Sequence, residues 1–132
     1  MLTSIRQFSL LCAAITLGAC QPAALPKGQY LQLNPGAGDK AFSLQFDQDR
    51  LSGFTGCNRA MGSFSVDKGE LVVSQLAGTM MACSEQAMAR EQAFMQFLQN
   101  KPALSVEDKV LVLRKDDIEY RFSAETQQQN SR

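Results

Sequence analysis

Four cysteines are the residues of this 132-residue chain whose type and spacing could do chemistry, and no histidine accompanies them. Cys20 closes the run Leu17-Gly18-Ala19-Cys20, which follows Arg6 and an apolar stretch from Phe8 to Leu17. A basic start, an apolar stretch too short for a spanning helix, and small residues before a cysteine are what a lipoprotein signal peptidase requires. The expected chemistry is acylation of the Cys20 thiol and of the amino group that cleavage exposes. Two or more acyl chains hold a protein durably on a membrane, at about 0.8 kcal/mol per buried methylene. Gln21, where an Asp would retain the protein at the inner membrane, points to the inner leaflet of a bacterial outer membrane, facing the periplasm. The alternative is an ordinary cleaved signal peptide with an incidental cysteine.

Cys12 leaves with the leader and Cys20 is consumed by lipid, so Cys57 and Cys83 remain as a pair in an oxidising compartment. A disulfide between them would close a loop of about 27 residues and stabilise the fold by roughly 3 kcal/mol on the chain-entropy model. A metal pair and a reactive thiol are the competing readings, although two cysteines do not complete a tetrahedral site. The lack of histidine excludes Ser-His-Asp and Cys-His nucleophiles and His-based zinc hydrolysis. Carboxylate-only or Ser-Lys chemistry survives in principle, but no acidic pair or Ser-x-x-Lys stands in a recognisable strand-turn-helix context. No catalytic residue, metal, cofactor or small-molecule substrate is therefore assigned.

Charge excludes one partner class. Of 13 basic residues only Arg6 goes with the leader, against 13 acidic ones, and the two signs are interspersed. Binding a polyphosphate needs clustered Lys and Arg, so nucleic acid is not an expected partner. The chain divides into a leader at 1–19, the lipidated cysteine and tether at 20–27, one domain at 28–122, and a glutamine-rich tail at 123–132 expected to be disordered.

The elements that must position Cys57 and Cys83 are mostly short strands. Gln29 to Leu33 precedes the loop Asn34 to Gly38, and Phe42, Leu44 and Phe46 then alternate with polar residues as a half-buried strand does. Arg50 to Thr55, Met61 to Val66 and Leu71 to Leu76 follow through turns at Asp47–Asp49 and Asp67–Gly69, giving two hairpins. Ala103 to Val106, Val110 to Arg114 and Ile118 to Phe122 form a meander with antiparallel pairing. One helix interrupts them, with Ser84 as N-cap, Glu85 in the first turn, and Asn100-Lys101-Pro102 as its end. Ala87, Met88, Phe94, Met95 and Leu98 share its apolar face, with Phe97 at the border. The predicted class is α+β, a strongly curved antiparallel β-sheet or partial barrel with one packed α-helix.

Glu91 breaks the helix pattern, projecting among Ala87, Met88, Met95 and Leu98, where an unpaired carboxylate is expensive. Asn58, Arg59 or the backbone amides of Gly56-Cys57-Asn58 are its candidate partners; a rotated helix with Glu91 in solvent is the alternative. As a structural carboxylate, Glu91 is expected to tolerate replacement by Gln.

Gly53-Phe54-Thr55-Gly56-Cys57-Asn58-Arg59-Ala60-Met61-Gly62-Ser63-Phe64, then Thr79-Met80-Met81-Ala82-Cys83, then Glu91, Phe94 and Leu98, resemble in order and spacing the signature blocks of the META (HslJ-like) domain family. The resemblance runs from about Gly28 to Phe122, and departs from the family pattern at Tyr30, where Trp is common, and at Asp117, where a turn glycine is usual. Its motif residues are Gly53, Gly56, Asn58, Gly62, Thr79, Met81, Ala82 and Glu91. Gly53 and Gly56 would let the backbone bend and approach closely, Gly62 would relieve crowding beside the cysteine loop, Asn58 would hold a tight turn, and Thr79 would bond backbone in the facing loop. A ligand site at Asn58, Arg59 and Thr79 is the alternative.

The resemblance implies a non-enzymatic, stress-associated envelope lipoprotein, a binding or stabilising module whose partners are the membrane, through its anchor, and an envelope protein. Two other classes stay open. One is a pilotin-like assembly factor for secretion or motility, which needs an exposed apolar groove. The other is an inhibitor of a periplasmic hydrolase, using Gly36 to Lys40 or the cysteine-linked loop. Met61, Met80, Met81, Met88 and Met95 could include an adaptable contact surface, with Met88 and Met95 expected in the core.

Overall fold

A computed structural model describes residues 25–125. The leader, Cys20 and the polar tail beyond Glu125 lie outside the described residues. The elements are β1 (Gly28–Gln32), β2 (Ser43–Asp47), β3 (Arg50–Phe54), β4 (Arg59–Asp67), β5 (Glu70–Val73), β6 (Ala77–Gly78), α1 (Glu85–Gln99), β7 (Ala103–Glu107), β8 (Val110–Lys115) and β9 (Ile118–Ala124).

Alternation fixes which face of each strand turns inward. Phe42, Leu44, Phe46, Leu51, Leu71, Leu111, Leu113 and Phe122 are buried in one cluster, while Gln45 and Asp47 between them face out. The hairpin turns place Gln48, Lys68, Gly69, Asp108, Lys109 and Asp116 at positive φ, the twist that two-residue connections between antiparallel strands demand. Each strand pairs antiparallel with its neighbours in the order β3-β2-β1-β9-β8-β7-β5-β4, and β4 pairs again with β3. The curved sheet is thus a closed eight-stranded barrel with one helix; closure pairs each of these eight strands on both sides, while the short β6 hangs on β4 alone and keeps one edge open. β9 continues past Phe122 to pair Ala124 with Tyr30, so the domain boundary expected at residue 122 moves outward.

The weakest seam is between β5 and β7, which share the single pair Glu70↔Ala103. The helix closes the barrel beside it. Phe94, Phe97 and Leu98 are its buried residues. Phe94 stacks on Phe42 at 4.2 Å, and Tyr120 sets its ring edge-on to Phe94 and Phe97 at 5.1 and 4.8 Å. This rotates the expected face: Phe97 is core, whereas Met88 is 41% exposed and Met95 half-buried. Aromatic rings bury more apolar area than a thioether, so the helix settles with its phenylalanines toward Tyr120.

The run Leu71 to Leu76 is not one regular strand. β4 pairs with β5 from Phe64↔Val73 to Asp67↔Glu70 and with β6 at Ala60↔Gly78 and Met61↔Ala77, a register shifted by one residue. The extra residue makes a bulge across Ser74–Leu76. Gly62 sits opposite it: a Cβ there would lie 2.9 Å from the Leu76 Cδ2 and 3.2 Å from the Gln75 carbonyl oxygen. The crowding that Gly62 relieves comes from this bulge and not from the cysteine loop.

Candidate functional site

The two cysteine blocks meet because their glycines allow it. A Cβ on Gly53 would fall 1.9 Å from the Ser43 carbonyl oxygen, so β2 and β3 reach their closest approach only with glycine there. Gly56 has φ +117°, and its Cα faces the Phe42 ring and the helix backbone at Ala87 and Glu91. The loop therefore lies directly on the first turns of α1. Ser84 caps that helix, its hydroxyl accepting from the Ala87 N–H at 3.2 Å. Cys83, immediately before the cap, is joined to Cys57 by a disulfide with Cα atoms 6.0 Å apart.

Glu91 lies in the middle of this junction, half-buried. Its Oε1 accepts from the Thr55 hydroxyl at 2.5 Å and the Asn58 backbone N–H at 2.8 Å, and its Oε2 from the Asn58 side-chain amide at 2.8 Å. The single Thr55 proton goes to the carboxylate, while the Asn58 carbonyl is satisfied by the Thr55 backbone N–H at 3.0 Å. On its other side the Asn58 Oδ1 accepts from the Thr79 hydroxyl at 3.0 Å and the Met81 backbone N–H at 2.6 Å. Thr79 in turn accepts from the Arg59 N–H at 3.2 Å. Asn58 thus ties together the β3–β4 loop, the 79–83 segment and the helix. Thr55 and Asn58 are the buried polar residues of the described chain, at 2% and 7% exposure, and neither is left unsatisfied.

Burial pushes the Glu91 pKa up, but the donors outweigh it. Hydrogen bonds from the Thr55 hydroxyl, the Asn58 amide, and the Asn58 and Cys57 backbone N–H groups hold the carboxyl below its ordinary value. An ionised carboxylate surrounded by neutral donors suits a structural clasp and is mismatched to proton transfer near neutral pH. A second tie runs beside it. The Arg90 Nε pairs with Asp39 at 3.2 Å, both its terminal nitrogens donate to the Lys40 carbonyl at 3.3 Å, and its guanidinium lies 4.5 Å above the Phe42 ring.

Of the partners expected for Glu91, Asn58 is present and the Arg59 side chain is not; Arg59 points to solvent. Thr79 bonds a backbone N–H in the facing loop and Asn58 as well. Met81 enters the network through its backbone alone, its side chain being 61% exposed, and Ala82 is exposed too. Thr55 and the Arg90–Asp39 pair escaped the sequence reading. Thr55 reads as the end of a strand, and no local pattern announces a contact across the 36 positions separating it from Glu91.

Two open grooves adjoin Glu91. One, of about 330 Å³, is bounded by Ala60, Gly78, Met80 and Met95 over a floor of Thr55 and Asn58. The other, of about 550 Å³, runs past Cys83, Met88 and Gln92. Among the described residues there is no group of three or more His, Cys, Asp or Glu side chains placed to hold a metal ion, and no helix is long and apolar enough to cross a membrane.

This closed barrel with a helix across it is similar to solved structures. A protein from Burkholderia xenovorans solved by NMR is 25% identical, with a TM-score of 0.62 over 77% of this chain and 84% of that one. A second protein solved by NMR is 20% identical, with a TM-score of 0.61 over 75% of this chain and 90% of that one, a likeness of fold. No curated protein matches the chain. The META domain family matches residues 23–127, a span that holds both cysteine blocks, Glu91 and every strand of the barrel. With the signature residues gathered around Asn58 and the match covering most of its length, the chain belongs to the META domain family.

Proposed function

We propose that this META domain protein is a non-enzymatic envelope lipoprotein, anchored through lipid on Cys20 at the inner leaflet of the outer membrane. Facing the periplasm, its domain binds or stabilises another envelope component, as a stress-associated module would. The observation that carries a binding role over a catalytic one is the clasp: Thr55, Asn58, Thr79 and Glu91 are committed to one another, and what they hold out is a loop whose Met80 is 97% exposed. Flexible, polarisable methionine suits an adaptable contact. A pilotin-like assembly role is the second reading, favoured by the open grooves between Met80, Met88 and Met95.

Two measurements on the full chain in cells test this. Alkyne-palmitate should label the wild type in the outer-membrane fraction, and Cys20→Ser should abolish the label and leave uncleaved precursor. A mature N-terminus other than acylated Cys20 would refute the anchor. A photo-reactive residue at Met80 should give a discrete cross-linked adduct, and one at Lys68 on the β4–β5 turn should not. Equal absence of adducts at both would refute the binding role.

A further inference from the structure

We infer that the groove between the free strand edge at Gly78–Met80 and the helix residues Glu91 and Met95 receives an extended segment of a partner protein, whose lysine or arginine side chain enters between Met80 and Met95 and ends on the Glu91 carboxylate. The inference rests on the binding role proposed above and supplies the partner's chemistry.

The edge is the first observation. β6 ends the sheet order, pairing with β4 alone. Thr79 donates its N–H to the Arg59 carbonyl at 3.0 Å, continuing the register of Ala60↔Gly78 and Met61↔Ala77. Hydrogen-bonded and non-hydrogen-bonded pairs alternate along an antiparallel ladder, so the N–H and C=O of Gly78 point away from β4 to the open side. Ala77, Gly78, Thr79 and Met80 are all exposed. An exposed edge of this kind is a template for strand addition.

The second observation is what faces that edge. Glu91 and Met95, four residues apart on α1, lie on one strip of its surface and line the groove at that edge, while Met88 lines the neighbouring groove beyond the carboxylate. The 330 Å³ groove lined by Gly78, Met80, Glu91 and Met95 has room for a long side chain. A lysine or arginine lays its methylene stem along apolar walls and presents its charge at the end, which matches thioethers leading to a carboxylate.

Charge is the third. Every donor to Glu91 is neutral, and the ion pairs among the described residues are Arg90–Asp39, Arg114–Glu119 and Arg121–Glu119. Oε2 takes one hydrogen bond, and an ionised carboxylate oxygen can accept more. An ionised group without a counter-charge, open to a groove, selects a cation and repels an acidic segment. The adjoining backbone edge makes that cation part of a peptide in preference to a free amine.

The test uses the full chain in detergent micelles and fluorescent nonapeptides of one β-forming flanking sequence, with lysine, arginine, norleucine, acetyl-lysine or glutamate at the centre. Lysine and arginine peptides should bind, and norleucine and acetyl-lysine peptides should bind about tenfold more weakly or worse, the loss expected for a charged hydrogen bond. N-methylation of alternate backbone nitrogens should weaken the lysine peptide as much. Met95→Lys, which sets an ammonium four residues after Glu91, should abolish the preference for a cationic centre without lowering the melting temperature. Binding indifferent to the central charge or to N-methylation overturns the inference and leaves the binding role standing. Self-association that covers the groove overturns it as well. No binding by any peptide overturns it, and the Met80 cross-link then decides separately whether the binding role falls with it.

Discussion

Asn58 and Glu91 meet at two points: the backbone N–H of Asn58 donates to one carboxylate oxygen and its side-chain amide to the other, each at 2.8 Å. The carboxamide cannot turn over, because Thr79 and the Met81 N–H donate to its oxygen from the opposite side. Its orientation is set by all three chain segments at once.

Glu91→Gln follows from this. Every partner of the carboxylate is a donor, so a glutamine must aim its own NH2 at the Asn58 amide, and rotating Asn58 would set an NH2 against Thr79 and Met81. The tolerance expected from the residue type alone is therefore reversed. Glu91→Gln should cost about 1–3 kcal/mol, close to Glu91→Ala, in urea unfolding at pH 7. A loss within about 0.5 kcal/mol, typical of an uninvolved surface site, would contradict the clasp.

Acid should weaken the same junction. The folded state holds Glu91 below its ordinary value of 4.5, so the unfolded chain takes up the proton first as pH falls. The stabilisation is complete above pH 4.5 and is lost as pH falls from there through the folded pKa. Urea midpoints of the wild type should drop toward those of Glu91→Ala in this acid range and stay well separated at neutral pH. Parallel curves throughout would show no linkage to this group.

Breaking the Cys57–Cys83 bridge, which spans 26 positions, leaves the 79–83 segment held to the β3–β4 loop by hydrogen bonds to Asn58 and Arg59 alone. Cys57→Ala should lower stability by about 2–5 kcal/mol, the usual loss for a native bridge in a small secreted domain. Thiol alkylation of unreduced protein should label neither residue. Two freely labelled thiols would refute the bridge.

Gly53 and Gly62 should respond unequally to alanine. At Gly53 the added methyl meets the Ser43 backbone, which is fixed in β2; at Gly62 its nearest neighbour is the end of the Leu76 side chain, which can turn aside. Gly53→Ala should cost on the order of 3 kcal/mol or prevent folding, and Gly62→Ala about 1 kcal/mol. Thermal melts in the reverse order would mean that the close approach of β2 to β3 is not set by Gly53.

Local signals were the legible ones. The Ser84 cap, the Asn100 stop and the hairpin turns each depend on a few adjacent residues, and the helix and meander lie where those residues put them. Closure was not legible, because the β1–β9 and β5–β7 pairings join distant segments without a motif of their own. Neither was the bulge, since Leu71 to Leu76 reads as one apolar-rich run whether or not a residue is looped out. Periodicity placed Glu91 in the apolar face, and the cysteine block next to it held Asn58. Thr55 stayed hidden, because a threonine at a strand end looks the same with or without a carboxylate to bond.

Closure of the barrel through β1 and β9 also gives the molecule two unlike poles. Gly28 begins β1 beside the β2–β3 turn, and Ala124 ends β9 against Lys109 of the β7–β8 turn, so the first and last strands of the described residues begin and end at one pole. The strands that run away from it lead to Thr55, Asn58 and the 79–84 segment, at the far pole. On the anchoring proposed above, a leash ending at Cys20 would hold the barrel by its base and turn the methionine loop outward from the lipid. The length of the domain itself would then measure how deep into the periplasm a partner is met, and lengthening the 20–27 tether would extend that reach without altering the surface presented.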